Sequence, residues 1–242
     1  MSQSIRLEGL TVGYGPHRRS APVLDRTELD LPAGSFTALL GPSGCGKSTV
    51  LNAVAGFVRP TAGQVLVGAR PVTGPGPDRG VVFQHYALFP WLTARGNVEF
   101  ALKRLGLPRA ERRSRALAAL EEVELADGAE KYPAELSGGM QQRVALARAL
   151  AAEPEVLLMD EPFGALDALT RARMQHLLTR LWQRTGTTVL FVTHDIDEAL
   201  ALAERVLVLG GKPGRVLADH AVPSGPPDPA LRELIARQLS DA

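Results

Sequence analysis

The eight residues Gly41-Pro42-Ser43-Gly44-Cys45-Gly46-Lys47-Ser48 constrain this chain more than any other segment. They fit the pattern G-x-x-x-x-G-K-[ST], a loop whose glycines let consecutive backbone N–H groups turn inward around an anion. The pattern carries meaning only between a strand and a helix, and the sequence supplies both. Residues 35–40 form a short apolar run that stops at Gly41. Residues 48–58 place Val50, Leu51, Val54 and Ala55 at helical spacing ahead of the breaker Arg59-Pro60-Thr61-Ala62-Gly63. In that setting the helix amino terminus adds partial positive charge, Lys47 neutralises the β- and γ-phosphates of a nucleotide, and Ser48 offers a hydroxyl to magnesium. A chance match in such a chain has a probability on the order of a few in a thousand. Cys45 reads as a small residue inside the loop, and alkylation of its thiol is expected to block phosphate entry. It is the only cysteine, so an intrachain disulfide and a thiolate-rich metal site are both excluded.

The remaining pattern is that of an α/β fold with a largely parallel sheet. Ile5 and Leu7 alternate with Arg6 and Glu8, and short β-rich runs recur at 64–67, 80–83, 156–159, 188–192 and 205–209, several of them separated by helical segments. Between Ala94 and Pro154 no strand is expected. Pro108 opens a helix with Leu117, Leu120 and Val123 at helical spacing, so this stretch reads as a helical insertion. Arg109, Arg112, Arg113 and Arg115 on that helix read as a solvated face partly paired with Glu111. Of the 242 residues 45% are hydrophobic and 22% charged, the balance of a folded chain of one to two domains. Lys and Arg number 27 against 26 Asp and Glu, so no global charge argues for a nucleic acid or an anionic membrane as partner. Residues 1–10 have no continuous apolar core of a secretory signal, and no apolar run approaches the roughly 20 residues that span a bilayer. The chain is expected in the cytoplasm, and the stretch after Gly211 is shorter than the ~40 residues that fold unaided.

Three further segments carry chemistry. The run at 156–159 ends in Asp160-Glu161-Pro162, two carboxylates at the carboxyl end of a buried strand, where α/β sheets place their ligands. Beside a phosphate loop, Asp160 reads as a magnesium-holding acid and Glu161 as the group that polarises the attacking water. The run at 188–192 leads into Thr193-His194-Asp195, which sets His194 to hydrogen-bond the γ-phosphate and that water. Finally, Leu136-Ser137-Gly138-Gly139-Met140-Gln141-Gln142-Arg143 opens a helix continuing through Val144, Leu146, Ala147 and Leu150. Its Ser-Gly-Gly turn makes a second anion site at a positive dipole end.

These segments, in this order, resemble the ATP-binding subunits of ATP-binding-cassette transporters over residues 5–209. The phosphate loop is joined by a glutamine loop, Val82-Phe83-Gln84, the signature at 136–143, the acidic strand at 156–161, a D-loop, Ala165-Leu166-Asp167, and His194 as the switch histidine. The resemblance implies a P-loop ATPase fold: a RecA-like, mostly parallel core, an antiparallel β subdomain and an inserted helical subdomain. Residues 1–242 would form a single nucleotide-binding domain, with the insertion at about 86–154 and a short tail at 211–242. It also implies that Tyr14 stacks on adenine and that the nucleotide lies against residues 41–48 and Thr49. Gln84 would sense magnesium and the attacking water, Ser137 and Gly139 would bind the γ-phosphate of a facing protomer's nucleotide, and Gly138 and Asp167 would join the nucleotide-binding residues. The chain would then be a magnesium-dependent ATPase working as a head-to-tail dimer with itself or with another cassette subunit, closed by ATP and reopened by hydrolysis. It would sit on the cytoplasmic side of the membrane against transmembrane permease subunits, and indirectly serve a solute-binding protein. Glu161-Pro162-Phe163-Gly164-Ala165-Leu166-Asp167 and Leu88-Phe89-Pro90-Trp91-Leu92-Thr93 resemble the branch that imports nitrate, sulfonates and taurine, with residues 85–91 facing the coupling helix of the permease. An exporter or lipid-handling subunit, and a soluble cassette ATPase, are the alternatives.

Overall fold

The computed structural model describes residues 2–13, 22–225 and 228–240. In chain order the elements are β1 (Ile5–Gly13), β2 (Pro22–Leu31), β3 (Phe36–Leu40), α1 (Lys47–Ala55), β4 (Ala62–Val67), β5 (Arg70–Pro71), β6 (Arg79–Val82), α2 (Ala94–Leu102), α3 (Arg109–Glu122), α4 (Gly138–Leu150), β7 (Val156–Asp160), α5 (Ala168–Thr185), β8 (Thr188–Thr193), α6 (Ile196–Leu202), β9 (Arg205–Gly210), β10 (Arg215–Ala221) and α7 (Pro229–Ser240). They group into two compact units, one of Met1–Gly76 with Gly186–Ala242, the other of Pro77–Thr185.

The first unit holds two kinds of sheet. In the antiparallel one, β1 lies between β2 and β4, and β5 pairs with β4. β1 alternates buried Ile5 and Leu7 with exposed Arg6, as expected of a strand with one wetted face. In the other, β3 runs parallel to β8 and β9, and β10 returns antiparallel along β9. Every residue of β3 and β8 is buried, which is why both read as continuous apolar runs. Phe36 and Phe191 meet across this pair with ring centroids 5.9 Å apart. The helix expected through residue 58 stops at Ala55. Gly56 takes the left-handed conformation, φ 80°, and its N–H closes on the Ala53 carbonyl. A Cβ there would lie 2.3 Å from the Gly74 carbonyl oxygen, so the stop is fixed by packing as well as by propensity.

The second unit pairs β6 with β7 in parallel and contains α2, α3, α4 and α5. The helix opened by Pro108 forms, with one difference in its face. Ala116, Ala119 and Leu120 are buried whereas Leu117 is exposed, because α3 packs through small residues against α2 and α4. Arg115 pairs with Glu111 at 2.8 Å on its wetted side, and Arg112 donates to the Leu107 carbonyl at 2.8 Å. The mixed parallel and antiparallel α/β architecture is the one expected from the sequence.

Candidate active site

In the first unit, register alone brings two of the expected site segments together. Leu40 stands opposite Thr193, so the phosphate loop and His194 leave the carboxyl ends of adjacent parallel strands. The loop then turns through Gly44 and Gly46, at φ 85° and 97°, values that a side chain would strain, and Gly46 caps α1. The first turn of α1 therefore directs its N–H groups back over the loop. Lys47 is buried, and its ammonium donates to the carbonyls of Gly41 at 2.8 Å and Pro42 at 3.0 Å. Two of its three donors thus hold the loop shut around the charge. Ser43, Gly44 and Ser48 are exposed, while Cys45 and Thr49 are buried. Burial pushes the Cys45 thiol above its ordinary pKa, against the pull of Lys47.

Sequence reasoning missed what braces this loop. The turn between β9 and β10 presses Gly214 against it so closely that a Cβ would fall 1.8 Å from the Cys45 carbonyl oxygen. Gly214 is itself pinned to β2, donating to Val23 at 2.8 Å and accepting from Asp25 at 2.9 Å. Gly41 meets Leu209 as tightly, with a Cβ 2.2 Å from its carbonyl oxygen. His194 is exposed between two anchored neighbours. The Thr193 hydroxyl donates to the buried Glu198 carboxylate at 2.8 Å, and Asp195 caps α6 by accepting from the N–H groups of Asp197 and Glu198 at 2.8 and 3.1 Å. Tyr14 lies outside the described residues.

In the second unit the same logic applies to the acids and the glutamine. Val82 stands opposite Met159, so Gln84 and Glu161 follow adjacent strand ends by equal steps. Asp160 and Glu161 are half-buried, and Glu161 has a φ of 43°, a strained value for a residue with a side chain. Gln84 is exposed. Beyond it, the segment 88–93 is shaped by Asn97, which is fully buried. Its amide accepts from Phe89 N–H at 2.8 Å and donates to the carbonyls of Phe89, Leu92 and Thr93. This fixes an aromatic group in which Phe89 lies 5.5 Å from Trp91 and 4.5 Å from Phe100, with Trp91 70% exposed.

At the start of α4, Ser137 caps the helix and accepts from Met140 N–H at 3.4 Å, while Gly138 is exposed. Gly139 must be a glycine, since a Cβ would fall 2.5 Å from the Thr170 methyl at the start of α5. Thr170 in turn donates to Asp167, whose carboxylate also accepts the N–H groups of Leu169 and Thr170 at 3.1 and 3.0 Å. Those bonds from Thr170 and Leu169 hold the Asp167 carboxyl below its usual range. A cavity of about 590 Å³ opens beside Ser137 and Gly139, lined also by Met140, Arg143, Lys131 and Arg173.

Comparison with known proteins identifies the family. The family described as ABC transporter matches residues 24–164. An ATP-binding protein of Brucella abortus (strain 2308) is 56% identical over 95% of this chain and 86% of its own. The taurine import ATP-binding protein TauB of Mesorhizobium japonicum is 56% identical over 81% of this chain and 77% of its own. Among solved structures, the ATP-binding cassette MJ0796, a dimer in a post-hydrolysis state bound to ADP and Pi, superposes with a TM-score of 0.80 at 37% identity, over 91% of this chain and all of that one.

Proposed function

The chain belongs to the ABC transporter family, and from that membership we propose that it is the ATP-hydrolysing subunit of an importer for a small solute of the taurine and sulfonate class. The observation that carries the ATPase assignment is the phosphate loop, closed by Lys47 and set in register with His194. Import is supported by the TauB relatives, 49% to 56% identical to this chain.

In this reading residues 1–242 are one nucleotide-binding domain with a helical insertion at about 86–154. The backbone N–H groups of residues 43–49 and the Lys47 ammonium bind the triphosphate, with Tyr14 on the base. Ser48 and Asp160 present hydroxyl and carboxylate oxygens, the hard donors that magnesium takes, and Gln84 lies one strand-step away from the acids. Magnesium bound there would neutralise phosphate charge. Glu161 accepts a proton from the attacking water, and His194 hydrogen-bonds the γ-phosphate as charge develops on it. Ser137, Gly138, Gly139 and Asp167 serve the nucleotide of a facing protomer, a second copy or another cassette subunit, in keeping with the dimeric MJ0796 relative. No helix among the described residues is long and apolar enough to cross a membrane. From the family membership, attachment to the cytoplasmic face is assigned to permease subunits, which the aromatic group around Trp91 would meet.

Affinity purification of the chain from gently solubilised native membranes tests the importer reading. Recovery of a multispanning permease, with uptake of a sulfonate when the two are reconstituted with their binding protein, is expected. Recovery of soluble partners alone, from a chain that still hydrolyses ATP, would overturn it.

A further inference from the structure

Two places on α4 grip the same residue of the segment that follows Gln84. At the start of the helix, a Cβ on Gly138 would stand 3.2 Å from the Tyr86 hydroxyl, so the phenol rests against that glycine. Ten residues on, about 15 Å along the axis, Arg148 donates to the carbonyls of Tyr86 at 2.9 Å and Ala87 at 2.6 Å. Its guanidinium also stands 6.0 Å from the centre of the Phe89 ring. Tyr86 and Ala87 are consecutive residues with side chains in the left-handed region, φ 57° and 46°, in a turn closed by Ala87 N–H on the His85 carbonyl. Such backbone persists only where its surroundings enforce it, and a planar fork of donors suits two adjacent carbonyls. Between the two grips, one turn from Gly138, Gln142 is fully buried with neither amide atom hydrogen-bonded.

We propose that Arg148 is a positioning residue for ATP hydrolysis: it latches the strained backbone of Tyr86 and Ala87 to the signature helix and thereby fixes the place of Gln84, two residues upstream. The latch rests on the ATPase reading above and adds to it a residue that touches neither nucleotide nor metal.

A double-mutant cycle in the full-length chain tests it. Arg148→Lys keeps the charge and loses the fork, and should lower kcat about tenfold with KM for ATP within about twofold. Gln84→Ala should lower kcat as well, and the double variant should be no slower than Gln84→Ala alone, because Arg148 acts through that residue. Losses that multiply would overturn the proposal. Hydrogen exchange supplies a readout independent of turnover. In Arg148→Lys, residues 84–90 should exchange about tenfold faster while 94–102 and 138–150 keep their protection; unchanged exchange at 84–90 would also overturn it. A wild-type chain that turned over no ATP would sink the functional reading, and the exchange experiment would still decide the latch.

Discussion

Lys47 makes its hydrogen bonds to two neutral carbonyls of its own loop, so its positive charge is left for whatever anion the loop receives. Removing that charge should be costly for binding. Hydrogen bonds to a charged group contribute about 1.5–3 kcal/mol, and Lys47→Ala is accordingly expected to weaken ATP binding between about tenfold and a hundredfold, as read by isothermal titration. The outcome at Gly214 should differ, because a methyl there would collide with the Cys45 carbonyl. Gly214→Ala must displace backbone on both sides, and overpacking of this kind costs roughly 1–3 kcal/mol. A fall of several degrees in melting temperature together with loss of ATP binding is expected; a variant that bound ATP normally would show that the turn does not brace the loop. Cys45, buried and with its thiol pushed upward, should react slowly with iodoacetamide in the folded chain and quickly in denaturant.

Among the elements, α4 is distinguished by two arginines five residues apart that each hold a left-handed residue elsewhere in the chain. Arg148 holds Tyr86 and Ala87, and Arg143 holds Glu124, at φ 57°, through its carbonyl at 3.2 Å and its carboxylate at 3.0 Å. Hydrogen bonds from Arg180 first and Arg143 second lower the Glu124 pKa below its ordinary value. A carboxyl depressed in the folded state contributes stability that is present above its unfolded pKa of about 4.3 and is lost as pH falls through the folded value. Thermal melts from pH 7 to pH 3 should therefore show an acid-side loss that is smaller in Glu124→Gln. An identical pH dependence in both would remove Glu124 from the acid response. How much of this could be read in advance depended on chain distance. The strand, glycine loop and helix around Lys47 were legible because their pattern is local, as were the buried runs at 156–159 and 188–192. β2 and β10 escaped notice, since half-wetted antiparallel strands with Asp25, Arg26 and Asp219 among them lack a continuous apolar run. The bonds from Arg148 to Tyr86 and Ala87 join residues about sixty positions apart, and nothing in local spacing announces them.

For the whole molecule, the proposed site residues divide between the two compact units: Lys47 and His194 belong to the first, and Gln84, Asp160, Glu161 and the signature to the second. In the proposed function, one phosphate loop and one signature per chain would call for two chains around each ATP, and the relative bound to ADP and Pi is a dimer. Glu161 is then the residue at which binding and hydrolysis can be separated. A glutamine retains the size of the side chain and loses the proposed general base, a role that typically contributes 10²–10⁴-fold in rate. The most direct test of the ATP-closed dimer is the mass of the Glu161→Gln chain in solution by light scattering, with and without magnesium and ATP. The expected result is a monomer without nucleotide and a stable dimer with it, while turnover falls at least about a hundredfold. A chain that stays monomeric with ATP bound, or that hydrolyses ATP at the wild-type rate, would contradict it.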